Sequence, residues 1–314
     1  MKQKNSVQSV MLIGANSQIA DFLIPRLIET GFFVTAVSRQ PPPNQNTAGL
    51  RWVKADVSHQ LPTLEGDALV HMAPLWMLPP VLDELLAGGV KKVVAFGSTS
   101  VFSKARSTDP KEVLFSERLK KSEDAIGKKC TLAGVPWTIL RPTLIYGAGK
   151  DKNITFISHV LRRFGFFPVV GGGLGLRQPV HADDLAAATI AALAKKDLCQ
   201  AYDLSGGETL TYRDMVFRIA GSHAWYRAPS IPLWLFRLAI HVARRLPGLG
   251  FIGPSMADRI TEDLVFDHGV ATRELGYNPR RFSPLDPVSN PESTPLPGEP
   301  DNGTPHAPSL RGRK

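Results

Sequence analysis

The stretch Val10-Met11-Leu12-Ile13-Gly14-Ala15-Asn16-Ser17-Gln18-Ile19-Ala20 decides the fold. Four apolar residues stop at a glycine, and a helical pattern follows: Ser17–Thr30 carries Ile19, Leu23, Leu27 and Ile28 at helical spacing, with Gly31 as its stop. A strand that turns tightly into a helix presents backbone N–H groups and the positive helix end, which together hold a pyrophosphate. Gly14 is the one glycine of this turn; Ser17 and Ala20 stand at the places of a second and third, and both are small enough for close backbone approach. Gly14, Asn16, Ser17, Gln18 and Ile19 are therefore the candidate dinucleotide-binding turn. The competing reading of the same residues is an ordinary β–α turn that binds nothing.

Outward from this turn, short apolar runs at 32–37, 51–53, 68–71, 90–96 and 137–140 alternate with helical stretches, including a long charged one over 110–132. That alternation predicts an α/β fold of the Rossmann type: a doubly wound parallel sheet with helices on both faces, and a smaller C-terminal substrate-binding region. Residues 1–145 read mainly as the dinucleotide-binding domain and 146–284 as the substrate-binding or lid region, with a return strand near 201–204. In the second region Asp183 is expected to cap an alanine-rich helix to about Lys196, and Thr211 a second helix to about Ala220. Residues 285–314 read as a disordered, proline-rich tail.

The 314 residues carry 37 basic and 28 acidic side chains, a formal charge of +9, and two cysteines, Cys130 and Cys199. Two cysteines supply neither a disulfide framework nor a multi-cysteine metal site, so a reducing, cytoplasmic setting is expected. No segment has the length of a membrane span or of a signal peptide's apolar region. The basic residues are dispersed and belong to no nucleic-acid motif, so the charge points to a small anionic ligand rather than to nucleic acid. One stretch, 231–246, is basic and amphipathic and reads either as a lid helix or as a weak contact with a membrane surface.

The second strand ends at Ser38-Arg39, where a carboxylate would receive the adenosine ribose hydroxyls of NAD. A hydroxyl and a guanidinium suit a 2′-phosphate instead, so NADP(H) is expected over NAD(H). Asp56 and Val57 follow the third strand, where the carboxylate reads equally as a partner of the adenine amino group or as a loop cap. Met72 and Ala73 follow the fourth, small enough for a dinucleotide to cross, and His71 before them reads as structural.

The ordered series Gly14–Ala20, Ala55-Asp56-Val57, Val70-His71-Met72-Ala73, Gly97-Ser98-Thr99-Ser100-Val101-Phe102, Leu140-Arg141-Pro142-Thr143-Leu144-Ile145-Tyr146-Gly147 and Pro179-Val180-His181-Ala182-Asp183-Asp184-Leu185 resembles the extended short-chain dehydrogenase/reductases, the NAD(P)-dependent epimerase/dehydratase family. The resemblance covers about Val10 to Pro284. It implies a catalytic hydroxyl at Ser98, with Thr99 as its neighbour, and a dinucleotide lying against Pro142. It also implies a Tyr-x-x-x-Lys pair on the next helix, whose Tyr moves a proton and whose Lys holds the ribose. That pair is missing. With Glu123 as register mark, Phe115 and Leu119 take the two places, and Lys120 or Lys121 is the nearest substitute for the lysine. Tyr146 is a candidate substitute phenol and a candidate substrate contact. In sugar-nucleotide members basic residues clamp the substrate diphosphate, which here nominates Arg177, with Arg162, Arg163 and Arg213 behind it; Arg141 reads as either a brace or a substrate contact. Asp183 and Asp184, at a helix start, read as caps and not as a metal pair, and no metal is expected.

The sequence thus supports an NAD(P)-dependent epimerase/dehydratase-like oxidoreductase acting on a nucleotide-sugar or similar anionic metabolite. Its rivals are a non-catalytic NADP(H)-binding sensor or assembly protein, and a peripheral membrane reductase.

Overall fold

The computed structural model describes residues 9–42, 46–57, 66–151, 153–221, 229–232 and 261–284. Most of the stretch 231–246, from residue 233 onward, and the tail 285–314 lie outside the described residues.

Seven strands form one parallel sheet: β1 (Ser9–Ile13), β2 (Phe33–Ser38), β3 (Leu50–Lys54), β4 (Ala68–His71), β5 (Lys92–Phe96), β6 (Trp137–Pro142) and, later in the chain, Cys199–Leu204. The last of these pairs with β6 in parallel, Cys199 opposite Trp137, and is the return strand that the sequence places near 201–204. The strand order across the sheet is Cys199–Leu204, β6, β5, β4, β1, β2, β3. The order reverses between β1 and β4, and ligands of such sheets bind outside the carboxyl ends of the strands at that switch.

Strand alternation assigns each side chain of β1 to a face. Val10 and Leu12 join a core cluster with Leu23 and Leu27 of α1 (Ala20–Glu29) and with Leu185 and Ala188 further along. Met11 and Ile13 join the opposite cluster, with Leu82 and Leu85 of α2 (Pro79–Ala87). After the single turn α3 (Ser100–Ser103), the long α4 (Pro110–Leu132) adds Leu119, Ile126 and Cys130 to that second cluster. All four β1 residues Val10–Ile13 are fully buried, as a strand covered by helices on both faces requires.

The elements after β6 are β7 (Ile145–Tyr146), α5 (Ile154–Phe164), β8 (Val169–Val170), β9 (Leu176–Arg177), β10 (Val180–His181), α6 (Ala182–Ala194), β11 (the return strand), β12 (Leu210–Thr211), α7 (Tyr212–Ala220), β13 (Ser230–Ile231) and α8 (Gly269–Leu275). α6 packs on α1 beneath the sheet, whereas Ile157 and Leu161 of α5 and Met215 and Ile219 of α7 form a third cluster. Among the described residues no helix is long and apolar enough to cross a membrane.

Thr211 caps α7 as expected, its Oγ1 accepting from Asp214 N at 3.0 Å. The cap of α6 differs from the expectation. His181 takes that role, with Nδ1 accepting from Asp183 N at 3.1 Å. Asp183 is instead committed to two arginines, Arg26 and Arg280, each at 2.6 Å, and Asp184 accepts from Arg280 Nε at 2.8 Å. The two carboxylates therefore clasp α1 and the segment after α8 to α6.

Candidate active site

Gly14 sits at φ +82°, where its N–H and that of Ala15 both donate to Val37 O at 3.1 Å. A Cβ built there would lie 2.6 Å from Ala73 N, so the turn closes against the end of β4 only with glycine. The other two glycine places need no glycine. Ser17 accepts at Oγ from Ala20 N (3.3 Å) and donates to Met72 Sδ (3.4 Å), and Ala20 is fully buried against the sheet. Asn16 Nδ2 donates to Gln40 O at 2.6 Å, tying the turn to the loop after β2. Gln18 Oε1 is buried without a hydrogen-bond partner. A buried orphan acceptor in a turn that closes on β4 is what a donor-bearing ligand would satisfy, so the residues present fit a dinucleotide.

The ends of β2 and β3 bring Ser38, Arg39, Asp56 and Val57 together, with Ser38 opposite Lys54 in register. Ser38 is buried and its Oγ accepts from Gln40 N at 3.2 Å, while Arg39 is exposed. Val57 is buried in the core cluster that holds Val37. His71 is fully buried with Nε2 3.3 Å from Pro74 O, and burial lowers its pKa to about 4. A neutral ring facing a carbonyl must carry its proton on Nε2, which leaves Nδ1 without a partner. His71 is structural.

A cleft of about 530 Å³ runs from Gln18 past Ser98, Thr99, Ser100, Ser103 and Lys104 to Arg177 and Gln178. Ser98 Oγ accepts from Ser100 N at 3.1 Å, so its proton is directed elsewhere. Thr99 differs: its Oγ1 donates to Pro142 O at 3.2 Å, which commits the hydroxyl to β6. Ser98 is thus the better placed of the two, and Pro142 acts by fixing its neighbour. Under this turn Arg141 forks onto Glu123 at 2.9 and 2.6 Å and reaches Asp203 at 3.5 Å. A Cβ on Gly97 would meet Glu123 Oε1 at 2.9 Å, so the ion pair abuts the Ser98 turn directly. Arg141 is a brace.

Phe115 stacks edge-on against Trp76 at 5.5 Å, and Leu119 is 3% exposed in the core. Lys120 and Lys121, the substitutes that the sequence nominates, point away. Each is exposed and pairs along the helix, with Asp124 at 2.8 Å and Glu117 at 4.0 Å. The reason is helical phase: with Leu119 turned inward, the next two residues are carried round to the solvent face. Tyr146 is 1% exposed, its hydroxyl accepts from Ser283 N at 3.2 Å, and its ring packs on His181 and Phe282 at 5.0 Å. The described cleft lining does not include it. Buried packing beneath the cleft is therefore the place of this phenol, in contrast to the role of substitute acid or substrate contact.

Arg177 does reach the cleft, though it is buried: its Nη1 donates to Leu176 O (2.6 Å) and Glu262 O (2.7 Å). Arg162 and Arg163 lie exposed at the end of α5, and Arg213 stacks on Phe217 at 5.5 Å. The residue that the sequence reading missed is Lys104. Its Nζ lies 4.5 Å from the Phe115 ring centroid and 3.5 Å from Glu112 Oε1. The available signal was its spacing from Ser100, four residues, which puts both on one side of a helical turn. Among the described residues no cluster of potential ligands could hold a metal ion.

A turn that closes on Ala73 where the strand order reverses, with helices on both faces of a parallel sheet, defines an α/β protein of the doubly wound class. The family model of the NAD dependent epimerase/dehydratase family matches residues 10–204, and the chain belongs to that family. It is 28% identical over 301 residues to the uncharacterized protein y4nG of Sinorhizobium fredii, covering 87% of this chain and 75% of that one. A shorter match, 34% over 80 residues, is to the mitochondrial NADH dehydrogenase [ubiquinone] 1 alpha subcomplex subunit 9 of Arabidopsis thaliana; it covers 25% of this chain and 20% of the subunit. Among solved structures, MoeE5 in complex with UDP-glucuronic acid and NAD superposes with a TM-score of 0.65 at 19% identity, over 87% of this chain and 94% of that one. At that identity the likeness is one of fold.

Proposed function

We propose that the protein binds a nicotinamide dinucleotide, NADP(H) in preference to NAD(H), and acts as an oxidoreductase on a nucleotide-sugar or a similarly anionic metabolite. One observation carries the reading: a single cleft is lined by Gln18 of the dinucleotide turn and by Ser98 and Arg177. In this reading the turn of Gly14, Asn16, Ser17, Gln18 and Ile19 receives the dinucleotide, with the diphosphate at the start of α1 and a hydroxyl or amide N–H of the cofactor as the donor to Gln18 Oε1. Ser38 and Arg39 receive the ribose phosphate, and Asp56, Val57, Met72, Ala73 and Pro142 line the remainder. A bound nicotinamide supplies the hydride acceptor or donor. Ser98 polarises the substrate oxygen, with Thr99 held beside it by Pro142, and Arg177 faces the substrate's negative charge. The UDP-glucuronic acid and NAD named for the superposed MoeE5 accord with a nicotinamide dinucleotide and a nucleotide-sugar, while the preference for NADP(H) rests on Ser38 and Arg39 alone.

A second reading, a non-catalytic dinucleotide-binding sensor or assembly protein, is favoured by one finding: Leu119 is buried in the apolar core and Phe115 packs against it, at the two places where the resemblance expects an ammonium and a phenol. The match to a subunit of NADH dehydrogenase accords with it. Titration with NADPH and NADH, followed by a panel of UDP- and dTDP-sugars, separates the two. Turnover of any sugar that drops on Ser98→Ala supports the first reading; tight dinucleotide binding without turnover across the panel supports the second.

A further inference from the structure

Within that reading, one group on the Ser98 side of the cleft has no assigned task. Helix α3 is a single turn, and it carries the chain from Ser98 round to Lys104 so that Ser98, Ser100, Ser103 and Lys104 all line the same cleft. The lysine is held in place. Its ammonium lies over the Phe115 ring at 4.5 Å and beside Glu112 Oε1 at 3.5 Å, and its side chain is 19% exposed. Glu112 is anchored in turn by Ser107 Oγ, which donates to its Oε2 at 2.7 Å. The neighbouring groups are committed differently. Thr99 Oγ1 donates to Pro142 O, Phe115 carries no polar atom, and Arg177 Nη1 donates to two backbone carbonyls.

We propose that Lys104 is a catalytic residue: its ammonium donates a hydrogen bond to the reacting oxygen of the substrate, opposite the Ser98 hydroxyl. A fixed cation beside an oxygen that gains negative charge stabilises that charge more in the transition state than in the ground state. The placement also gives Phe115 a role. Its ring face carries the ammonium at cation–π distance, so the helix position that lacks a phenol supports a donor delivered from the preceding turn. No proton needs to leave the lysine for this effect.

The test uses the full-length protein loaded with NADPH or NADP+ and UDP-glucose as probe. Lys104→Met is expected to lower kcat about 100-fold with KM changed less than about threefold. Lys104→Arg, which keeps the charge, is expected to recover at least about tenfold of that loss. Both should bind NADPH within about twofold of the parent by fluorescence titration, and Lys104→Arg, which keeps a cation beside Glu112, should keep the parent's unfolding temperature. The second readout is independent of turnover. Pyridoxal 5′-phosphate with borohydride should label Lys104, as located by peptide mass mapping, and UDP-glucose should protect it. Binding of UDP-glucose by calorimetry without any protection of Lys104, or unchanged kcat in Lys104→Met, overturns the proposal and leaves the nucleotide-sugar reading standing. Failure of UDP-glucose to bind at all counts against that reading instead. Lys104 is then judged on whichever sugar of the UDP- and dTDP-sugar panel is turned over, where an unchanged kcat in Lys104→Met overturns the proposal and a drop of about 100-fold, partly recovered in Lys104→Arg, upholds it. No turnover across the panel overturns both the proposal and the nucleotide-sugar reading.

Discussion

The turn after β1 and the segment from Ser98 to Leu119 both depart from the family pattern, and the departures differ in kind. At the turn, Ser17 and Ala20 replace two glycines, yet Ala20 is fully buried and Ser17 makes local bonds to Ala20 and Met72. Only Gly14, at φ +82° with Ala73 N in the way of a Cβ, has to be glycine. On the other side Phe115 and Leu119 stand where the resemblance expects a proton-bearing phenol and a charged amine. A residue chosen for shape can be exchanged for another small residue, whereas a residue chosen for its proton cannot be exchanged for a hydrocarbon. A cation beside Phe115 comes from a different element, at Lys104.

Several substitutions would break or sharpen this contrast. The largest expected effect is at the ion pair beneath the Ser98 turn. Arg141→Met leaves the Glu123 carboxylate, whose side chain is 4% exposed, without its forked partner. Removing one member of such a buried pair costs about 3–5 kcal/mol of stability, to be read from urea unfolding. A loss under about 1 kcal/mol would mean that the pair does not underpin the Ser98 turn. Next, Gly14→Val should weaken NADPH binding about 100-fold or more, since both φ and the contact with Ala73 exclude a side chain. Ser17→Gly, by contrast, should leave affinity within about threefold, because only a small residue is required there. Equal losses at the two positions would erase the distinction drawn above.

A smaller effect is expected at the adenosine end. Arg39→Ala should weaken NADPH about tenfold and NADH little, as measured by paired titrations. Preference of the parent protein for NADH would contradict the assignment of Ser38 and Arg39. The smallest effect concerns the clasp between α1 and α6. Burial pushes the Asp183 carboxyl up, but hydrogen bonds from Arg26 and Arg280 outweigh burial and hold its pKa below the ordinary value. Its contribution to stability is therefore present above the ordinary carboxylate pKa and is lost as pH falls through the lower folded one. Asp183→Asn should flatten the acid side of the stability–pH curve relative to the parent; an unchanged curve would show that the clasp carries no linkage.

Most of the sheet was legible because its strands are buried on both faces and read as Val- and Ile-rich runs between turn residues, as at Val10–Ile13 and Ala68–His71. The bounds of α4, Pro110–Leu132, follow from Asp109 as cap, whose carboxylate accepts from Lys111 N, and from proline in the first turn. The helix α2 opens on Pro79-Pro80, since proline is tolerated in a first turn. The cap of α6 was misread because Asp183 is a stronger cap former than His181, and only tertiary structure shows that two arginines claim the aspartate. Among site residues, the dinucleotide turn was legible because strand, turn and helix are contiguous in sequence. Lys104 was not, since its place over Phe115 depends on how α3 and the following turn dock on α4. Tyr146 failed as a candidate for the same reason: residue type suggested chemistry, and packing against His181 and Phe282 buried it.

The central claim is that the Gly14 turn still holds a nicotinamide dinucleotide despite two missing glycines. Fluorescence titration of the purified protein with NADPH and with NADH, alongside Gly14→Val, tests it most directly. The account predicts saturable binding at one site per chain, tighter for NADPH and lost in Gly14→Val. No saturable binding of either dinucleotide, or undiminished binding in Gly14→Val, would contradict it.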